Sequence, residues 1–306
     1  MPYLGPGMSS AASDPADALR RYWVHPAFRS LSPPTIVVGM HRTGTSLVAG
    51  MLTQLGLYLD PRMPPPAEGE TLAPANALAR TSGYGEALAF HRANVRLLRR
   101  AGADWSYPEP FLASRDSVVS ARLGIAYLQL ATATSLRSQY LAAIPRHAAG
   151  WGFKDPRTSL ALPYWLALFP EARVIHVRRD ALSVAASLLR RAHEWPERTP
   201  TLRSRFSYGI LHPVLAARFA VRKLGQAADV PRRPPLDQQR CLDLHAIYVA
   251  ECEGQRCMAR SYLDIEFAEL VRDPIGSAHR LAAFVPGRCD EARQAQAAAY
   301  VLADAP

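Results

Sequence analysis

Residues Gly39-Met-His-Arg-Thr-Gly-Thr-Ser46 have the spacing G-x-x-x-x-G-x-[ST] of a loop that wraps a phosphate between a strand and a helix. Such a loop holds an anion with inward backbone N–H groups and with the positive end of the helix that follows. Thr45 stands where a triphosphate-binding loop has lysine, so the cation that reaches the β and γ phosphates is missing. Arg42 brings a cation inside the loop instead. The expected chemistry is capture of a phosphate-like anion by His41, Arg42, Thr43, Gly44, Thr45 and Ser46. A nucleotide kinase or NTPase, the alternative enzyme, would need the absent lysine and an aspartate for Mg2+.

A strand must deliver this loop and a helix must leave it. Thr35 to Gly39 is a short β-branched apolar run, and Ser46 to Leu57 carries Leu47, Val48, Met51, Leu52 and Leu55 at helical spacing. From Asp60 to Gly85 the chain is too long and too rich in proline for an ordinary connection, which predicts a lid or binding loop, or else a disordered segment. Helical periodicity returns over Glu86 to Arg100 and Asp116 to Leu141. Asp155-Pro156 reads as an N-cap with proline at N1, opening a helix to Phe169. Ala172 to Val177 is a strand, after which Asp180 caps a helix over Ala181 to Arg191 with an apolar stripe of Leu182, Ala185, Ala186 and Leu189. Arg179 therefore emerges at the carboxyl end of a strand, where open α/β sheets bind ligands. A helix from Leu236 to about Glu253, a strand near Ala259 to Tyr262 and a closing helix over Ile275 to Phe284 complete the pattern.

Recurring strand, turn and helix predict an α/β protein: a three-layer, P-loop-like fold with a central parallel sheet flanked by helices. Residues 1–34 read as a loosely ordered arm with a short helix around Ala16 to Tyr22. Residues 35–306 read as a single domain with a basic insertion around 190–235. The 306 residues, 49% of them hydrophobic, exclude a disordered or collagen-like chain. The balance of 36 Lys+Arg against 26 Asp+Glu gives +10, almost all of it arginine, because Lys154 and Lys223 are the only lysines. Residues 190–233 hold ten basic residues against three acidic ones. That favours anionic ligands, but no nucleic-acid motif accompanies it, so nucleic acid is not an expected partner. Cys241, Cys252, Cys257 and Cys289 lack metal-ligand spacing and read as reduced structural thiols. With neither an apolar leader nor a run long enough to span a membrane, a cytoplasmic protein is expected.

Val38-Gly-Met-His-Arg-Thr-Gly-Thr-Ser-Leu47 resembles the 5'-phosphosulfate loop of the sulfotransferases that use 3'-phosphoadenosine 5'-phosphosulfate (PAPS). Val174-Ile-His-Val-Arg-Arg-Asp-Ala-Leu-Ser-Val-Ala-Ala-Ser-Leu188 is similar to that family's 3'-phosphate site, in which an arginine ends a strand and a serine follows eight residues later, here Arg179 and Ser187. Trp151-Gly-Phe-Lys-Asp-Pro-Arg157 is similar to the Lys-Asp-Pro segment of the bacterial and tyrosylprotein branches. Tyr262 to Pro274 gives a fourth, mainly structural match.

The resemblance implies PAPS as cofactor, 3'-phosphoadenosine 5'-phosphate as product, and in-line transfer of a sulfuryl group to a hydroxyl or amine. No metal is expected, since SO3 carries less charge than a phosphoryl group and fixed cations and amides can replace Mg2+. Arg42 and Lys154 are the candidates for stabilising the bridging oxygen, and Glu86 for the general base, with His91 and His41 in reserve. The acceptor is left open among small molecules, carbohydrates, lipids and peptides, as is the oligomeric state. A protein that keeps the nucleotide pocket without turnover is the other reading. Three departures stand out. Ala181 replaces the family's proline, Gly83-Tyr-Gly-Glu86 replaces Gly-Tyr-Phe-Glu, and no basic tail follows the closing helix, so a less complete 3'-phosphate site is expected.

Overall fold

The computed structural model describes residues 23–62, 85–194, 236–287 and 289–304. The helix expected at Ala16 to Tyr22, most of the proline-rich segment and nearly all of the basic insertion lie outside them. In chain order the elements are α1 (Pro26–Arg29), β1 (Thr35–Val38), α2 (Thr45–Gln54), β2 (Leu57–Tyr58), α3 (Leu88–Arg100), α4 (Glu109–Arg115), α5 (Val118–Ala131), β3 (Gly150–Lys154), α6 (Thr158–Leu168), β4 (Arg173–Arg178), α7 (Ala181–Glu194), α8 (Gln238–Gly254), β5 (Ser261–Glu266), α9 (Phe267–Arg272), α10 (Pro274–Phe284) and α11 (Glu291–Asp304). The strands form one parallel sheet in the order β2-β3-β1-β4-β5. β1 pairs directly with β4, Thr35 opposite Arg173 and Val38 opposite His176, so the loop after β1 and Arg179 after β4 leave the sheet side by side.

Both faces of the central strands are covered, so β1 and β3 are buried along their whole length, whereas the edge strand β5 carries Ser261, Asp264 and Glu266. Ile36, Val38, Trp151, Phe153 and Val174 point into a core shared with α3, α5, α6 and α8, where Phe90 stacks on Phe153 at 4.1 Å. Val37, Ile175, Val177 and Ile265 point the other way, against α2, α10 and α11. Alternation along each strand thus builds the three layers. Val24 and Phe28, ahead of β1, pack into the first core, Phe28 against Trp151. Among the described residues no helix is long and apolar enough to cross a membrane. All four cysteines are free, and burial pushes the Cys252 thiol up to about 12.

Several expected boundaries move. Asp155 caps a first turn of i+3 bonds, its carboxylate accepting the N–H of Arg157, and this turn carries the chain through Pro156 to an α-helix that starts at Thr158, later than expected. α3 starts at Leu88, two residues after Glu86. The helix expected over 116–141 runs from Val118 to Gln139, with a π turn over Thr132–Leu136 between its α-helical parts Val118–Ala131 and Arg137–Gln139. The buried face of α7 is Val184, Ala185 and Leu188, whereas Leu182 is 64% exposed, so the stripe expected from Leu182 is rotated. The strand expected at 259–262 runs over 261–266, because its pairing with β4 extends to Arg178. α11 was not expected; its Ala297, Ala298, Tyr300 and Val301 close the second core.

One buried group makes stability pH-dependent. His176, 1% exposed in β4, faces Asp264 across the β4–β5 pair with Nδ1 3.4 Å from Oδ1. Burial lowers its pKa to about 4, outweighing the pull of Asp264. The unfolded chain takes up this proton below about 6.5 while the fold refuses it until about 4, so stability falls with acidity across that window. The share due to His176 is about 2 kcal/mol between pH 7 and 5. Urea unfolding of His176→Gln should show a correspondingly flatter dependence on pH than the parent; equal slopes would contradict the assignment.

Candidate active site

The carboxyl ends of β3, β1 and β4 open on one crevice, because the chain leaves β1 for one side of the sheet and later returns to the other. The loop 39–46 sits at its centre. Ser159 of α6 fixes the start of that loop: its Oγ accepts the Gly39 N–H at 3.0 Å and donates to the Gly39 carbonyl. Thr43 Oγ1 donates to the Met40 carbonyl at 2.8 Å, and Arg42 holds φ 72°, the one non-glycine residue with positive φ among those described. Gly44, at φ 99°, precedes α2, and a Cβ there would lie 2.3 Å from the Phe267 ring. Only glycine lets the loop close against that ring.

On the β3 side the loop meets a buried polar cluster. Lys154 ends β3 and is 1% exposed; its Nζ donates to Glu86 Oε1 at 3.0 Å and to Ser46 Oγ at 3.2 Å. The other Glu86 oxygen lies 3.4 Å from His91 Nδ1. Burial alone would raise the Glu86 pKa, but the Lys154 charge and the contact with His91 hold it well below the usual carboxylate range. Burial lowers Lys154, and the carboxylate beside it works against that. Arg62 holds Glu86 from behind, donating from Nη2 to the Glu86 carbonyl at 2.8 Å while it pairs with the buried Asp60. Asp155 is fully buried; it accepts from Asn94 Nδ2 at 3.2 Å and from Arg157 Nη1 at 3.0 Å. Glu86, His91 and Asp155 offer ligand atoms within 4.8 Å of one another. Lys154 and Arg157 already neutralise the two carboxylates, which leaves little attraction for a metal cation.

On the β4 side Arg179 reaches the loop itself, its Nη1 donating to the Arg42 carbonyl at 3.3 Å, and its guanidinium stacks on Phe267 at 4.2 Å. Arg42 Nε donates to Ser187 Oγ at 2.9 Å. The two residues expected to bind a second anion, Arg179 and Ser187, therefore both touch Arg42. His41 turns the other way, packed against Trp105 at 4.8 Å. Burial, with the nearby Arg157 charge, pushes its imidazole well below 6.5, so it is neutral.

The loop 39–46 thus has a buried lysine–carboxylate pair on its β3 side and Arg179 and Ser187 on its β4 side. The sequence profile of the sulfotransferase family matches residues 33–245, a span that contains all of these residues except Phe267. The chain belongs to the sulfotransferase family. No curated protein matches it significantly. Among solved structures it is similar to the sulfotransferase domain of the Synechococcus PCC 7002 olefin synthase (18% identity, TM-score 0.39, covering 86% of this chain and 76% of that one). It is also similar to sulfotransferase STF9 from Mycobacterium avium (16%, 0.42, 91% and 70%) and STF1 from Mycobacterium tuberculosis H37Rv (14%, 0.44, 93% and 75%).

For a sulfotransferase the glycine before Glu86 is unexpected, and the packing explains it. Gly85 holds φ 69°, and a Cβ there would lie 2.8 Å from the Ala49 Cβ of α2 and 3.7 Å from Lys154 Cε. The phenylalanine seen in the family pattern has no room here, and the left-handed backbone aims Glu86 at Lys154. Gly85→Phe should therefore cost about 1 to 3 kcal/mol from backbone strain alone and displace Glu86. Thermal unfolding and a sulfate-transfer assay would both register it; unchanged activity would show that Glu86 is placed by something else. Asp155, Arg157, Asn94, Ser159, Arg62 and Phe267 also support the site, and sequence reasoning gave none of them a site role. Phe267 lies in the motif read as mainly structural.

Proposed function

We propose that this sulfotransferase moves a sulfuryl group from PAPS to a hydroxyl or amine acceptor, with 3'-phosphoadenosine 5'-phosphate as the leaving product. The observation that carries this reading is the buried chain Glu86–Lys154–Ser46, which ties a carboxylate to the anion loop through a single cation. His41 to Ser46 would hold the 5' end through backbone amides, Thr45 and Ser46 from the first turn of α2. Arg179, Ser187 and Arg42 would hold the 3'-phosphate side. Lys154 would neutralise the charge that builds on the bridging oxygen, a donor typically worth about 3 to 4 kcal/mol, with Arg42 the second cation of the loop. Glu86 would take the acceptor's proton.

Fixed cations on both carboxylates and in the loop support transfer without a metal. One α/β domain over residues 35–306 is proposed as the working unit, and the four free thiols support a reducing, cytoplasmic setting. The acceptor is a small molecule, carbohydrate, lipid or peptide. Radiolabelled PAPS incubated with such acceptors in the presence of EDTA tests the reaction; label should move. A protein that binds 3'-phosphoadenosine 5'-phosphate yet releases no label would be the non-catalytic alternative. That nucleotide should bind more tightly than ATP, and Arg179→Ala should weaken it by about 1.5 to 3 kcal/mol, the scale of a charge-assisted hydrogen bond. Calorimetry giving equal affinities for the two nucleotides would overturn the assignment of the second anion site.

A further inference from the structure

His91 Nδ1 has three neighbours, none at an ordinary hydrogen-bond length: Glu86 Oε2 at 3.4 Å, Asp155 Oδ2 at 3.6 Å and Arg157 Nη1 at 3.4 Å. Two are acceptors and one is a donor. With its lone pair free, Nδ1 can accept from Arg157; once protonated, it can donate to either carboxylate. The nitrogen thus has a partner in both protonation states, unlike a histidine held in one tautomer by a single strong bond. Asp155 is pinned by Asn94, itself held by Trp165 Nε1 at 2.8 Å, so one carboxylate of the pair cannot move away.

Resting on the reading above, in which Glu86 faces the acceptor, we propose that Glu86 passes the acceptor's proton to His91 Nδ1 and that Asp155 holds the imidazolium formed. As the acceptor's oxygen or nitrogen bonds to sulfur, its bond to hydrogen breaks, and the proton moves to the Glu86 carboxylate and then to Nδ1. The bond between sulfur and the bridging oxygen breaks with its electron pair left on the phosphate. His91 ends positive and the sulfated acceptor carries the compensating negative charge, while the 5'-phosphate keeps the electron pair of the broken bond and the nucleotide's net charge is unchanged. The charged groups around the imidazole are Glu86 ahead of its own helix, Asp155 and Arg157 from the turn after β3, and Lys154 on the far side of Glu86, with the neutral loop His41 in their field. Lys154 and Arg157 balance the two carboxylates, so bound sulfate and phosphate tip the cluster toward accepting a proton. Because Lys154 makes Glu86 a weak base, a second acceptor of the proton completes the step.

The test follows PAPS turnover by the full chain from pH 5 to 9 with water as the acceptor, alongside nitrogen NMR of the histidine rings with 3'-phosphoadenosine 5'-phosphate bound. His91→Gln should lower kcat about tenfold to a hundredfold with KM for PAPS unchanged, and should remove the acidic limb of the profile. Asp155→Asn should shift that limb to lower pH, since the imidazolium loses a counter-charge. The wild-type NMR titration should place the same proton on Nδ1, whether or not the Asp155 variant folds. A His91→Gln profile that superimposes on wild type overturns the relay while leaving the sulfotransferase reading intact. A wild-type protein that neither binds the nucleotide nor consumes PAPS overturns both.

Discussion

Glu86→Gln should lower turnover by about 10²- to 10⁴-fold, the usual cost of removing a positioned base, while affinity for 3'-phosphoadenosine 5'-phosphate holds or rises. The amide keeps the shape of the carboxylate, and its oxygen can still accept from Lys154 Nζ, now 3.0 Å from Oε1. What it cannot do is take a proton at neutral pH. The sign of the affinity change follows from charge: the substitution removes an anion from a cluster that must bind two other anions, so the nucleotide gains attraction. A parallel loss of affinity would show that Glu86 acts by shaping the nucleotide site. Retained turnover would remove it from the chemistry altogether and leave His91, 3.4 Å away, as the base. The two results are separable because calorimetry needs no acceptor.

The contrast between Glu86 and Asp155 shows where sequence reasoning reached its limit. The turn from β1 into α2 was legible because its requirements are local: two glycines, a hydroxyl and a helix start within eight residues. Arg179 was legible for the same reason, standing one residue past a strand whose partner strand delivers the loop. Asp155 and Pro156 gave an equally local signal, a cap, but it showed only part of what the carboxylate does. The carboxylate is used by Asn94, 61 residues away, and by Arg157, and such a long-range bond leaves no trace in spacing. Gly85 looked like a defect of the family pattern because the Ala49 methyl that excludes a side chain comes from another element. The α7 stripe was read one step round the helix, since Leu182 is apolar yet exposed and Val184 is the residue that packs. α11 was missed because a run of alanines at Ala297 and Ala298 shows little contrast between faces until Tyr300 is seen against Gly50.

Lys154→Met should damage stability and turnover together, and the two losses should respond differently to a second change. Lys154 is 1% exposed and its methylene stem has room for methionine, but its charge answers a carboxylate that is itself mostly buried. Removing one partner of such a pair strands the other, at a cost of about 3 kcal/mol or more. Glu86 then recovers its neutral form at higher pH, so the loss of stability should lessen as pH falls toward the carboxylate range. Adding Glu86→Gln removes the stranded charge, so the double variant should regain much of the stability lost by Lys154→Met alone. Turnover should not follow. The donor proposed to answer charge on the bridging oxygen is gone in both variants, an expected loss of about 10²- to 10³-fold in kcat, and the proposed base is gone in the second. Urea unfolding midpoints and PAPS turnover on the same four proteins separate the two effects. A double variant no more stable than Lys154→Met would mean that the lysine is held by its packing and by Ser46 Oγ at 3.2 Å, with Glu86 merely nearby. In that case the carboxylate would owe its position to Arg62, which holds the Glu86 carbonyl at 2.8 Å independently of any charge on the side chain.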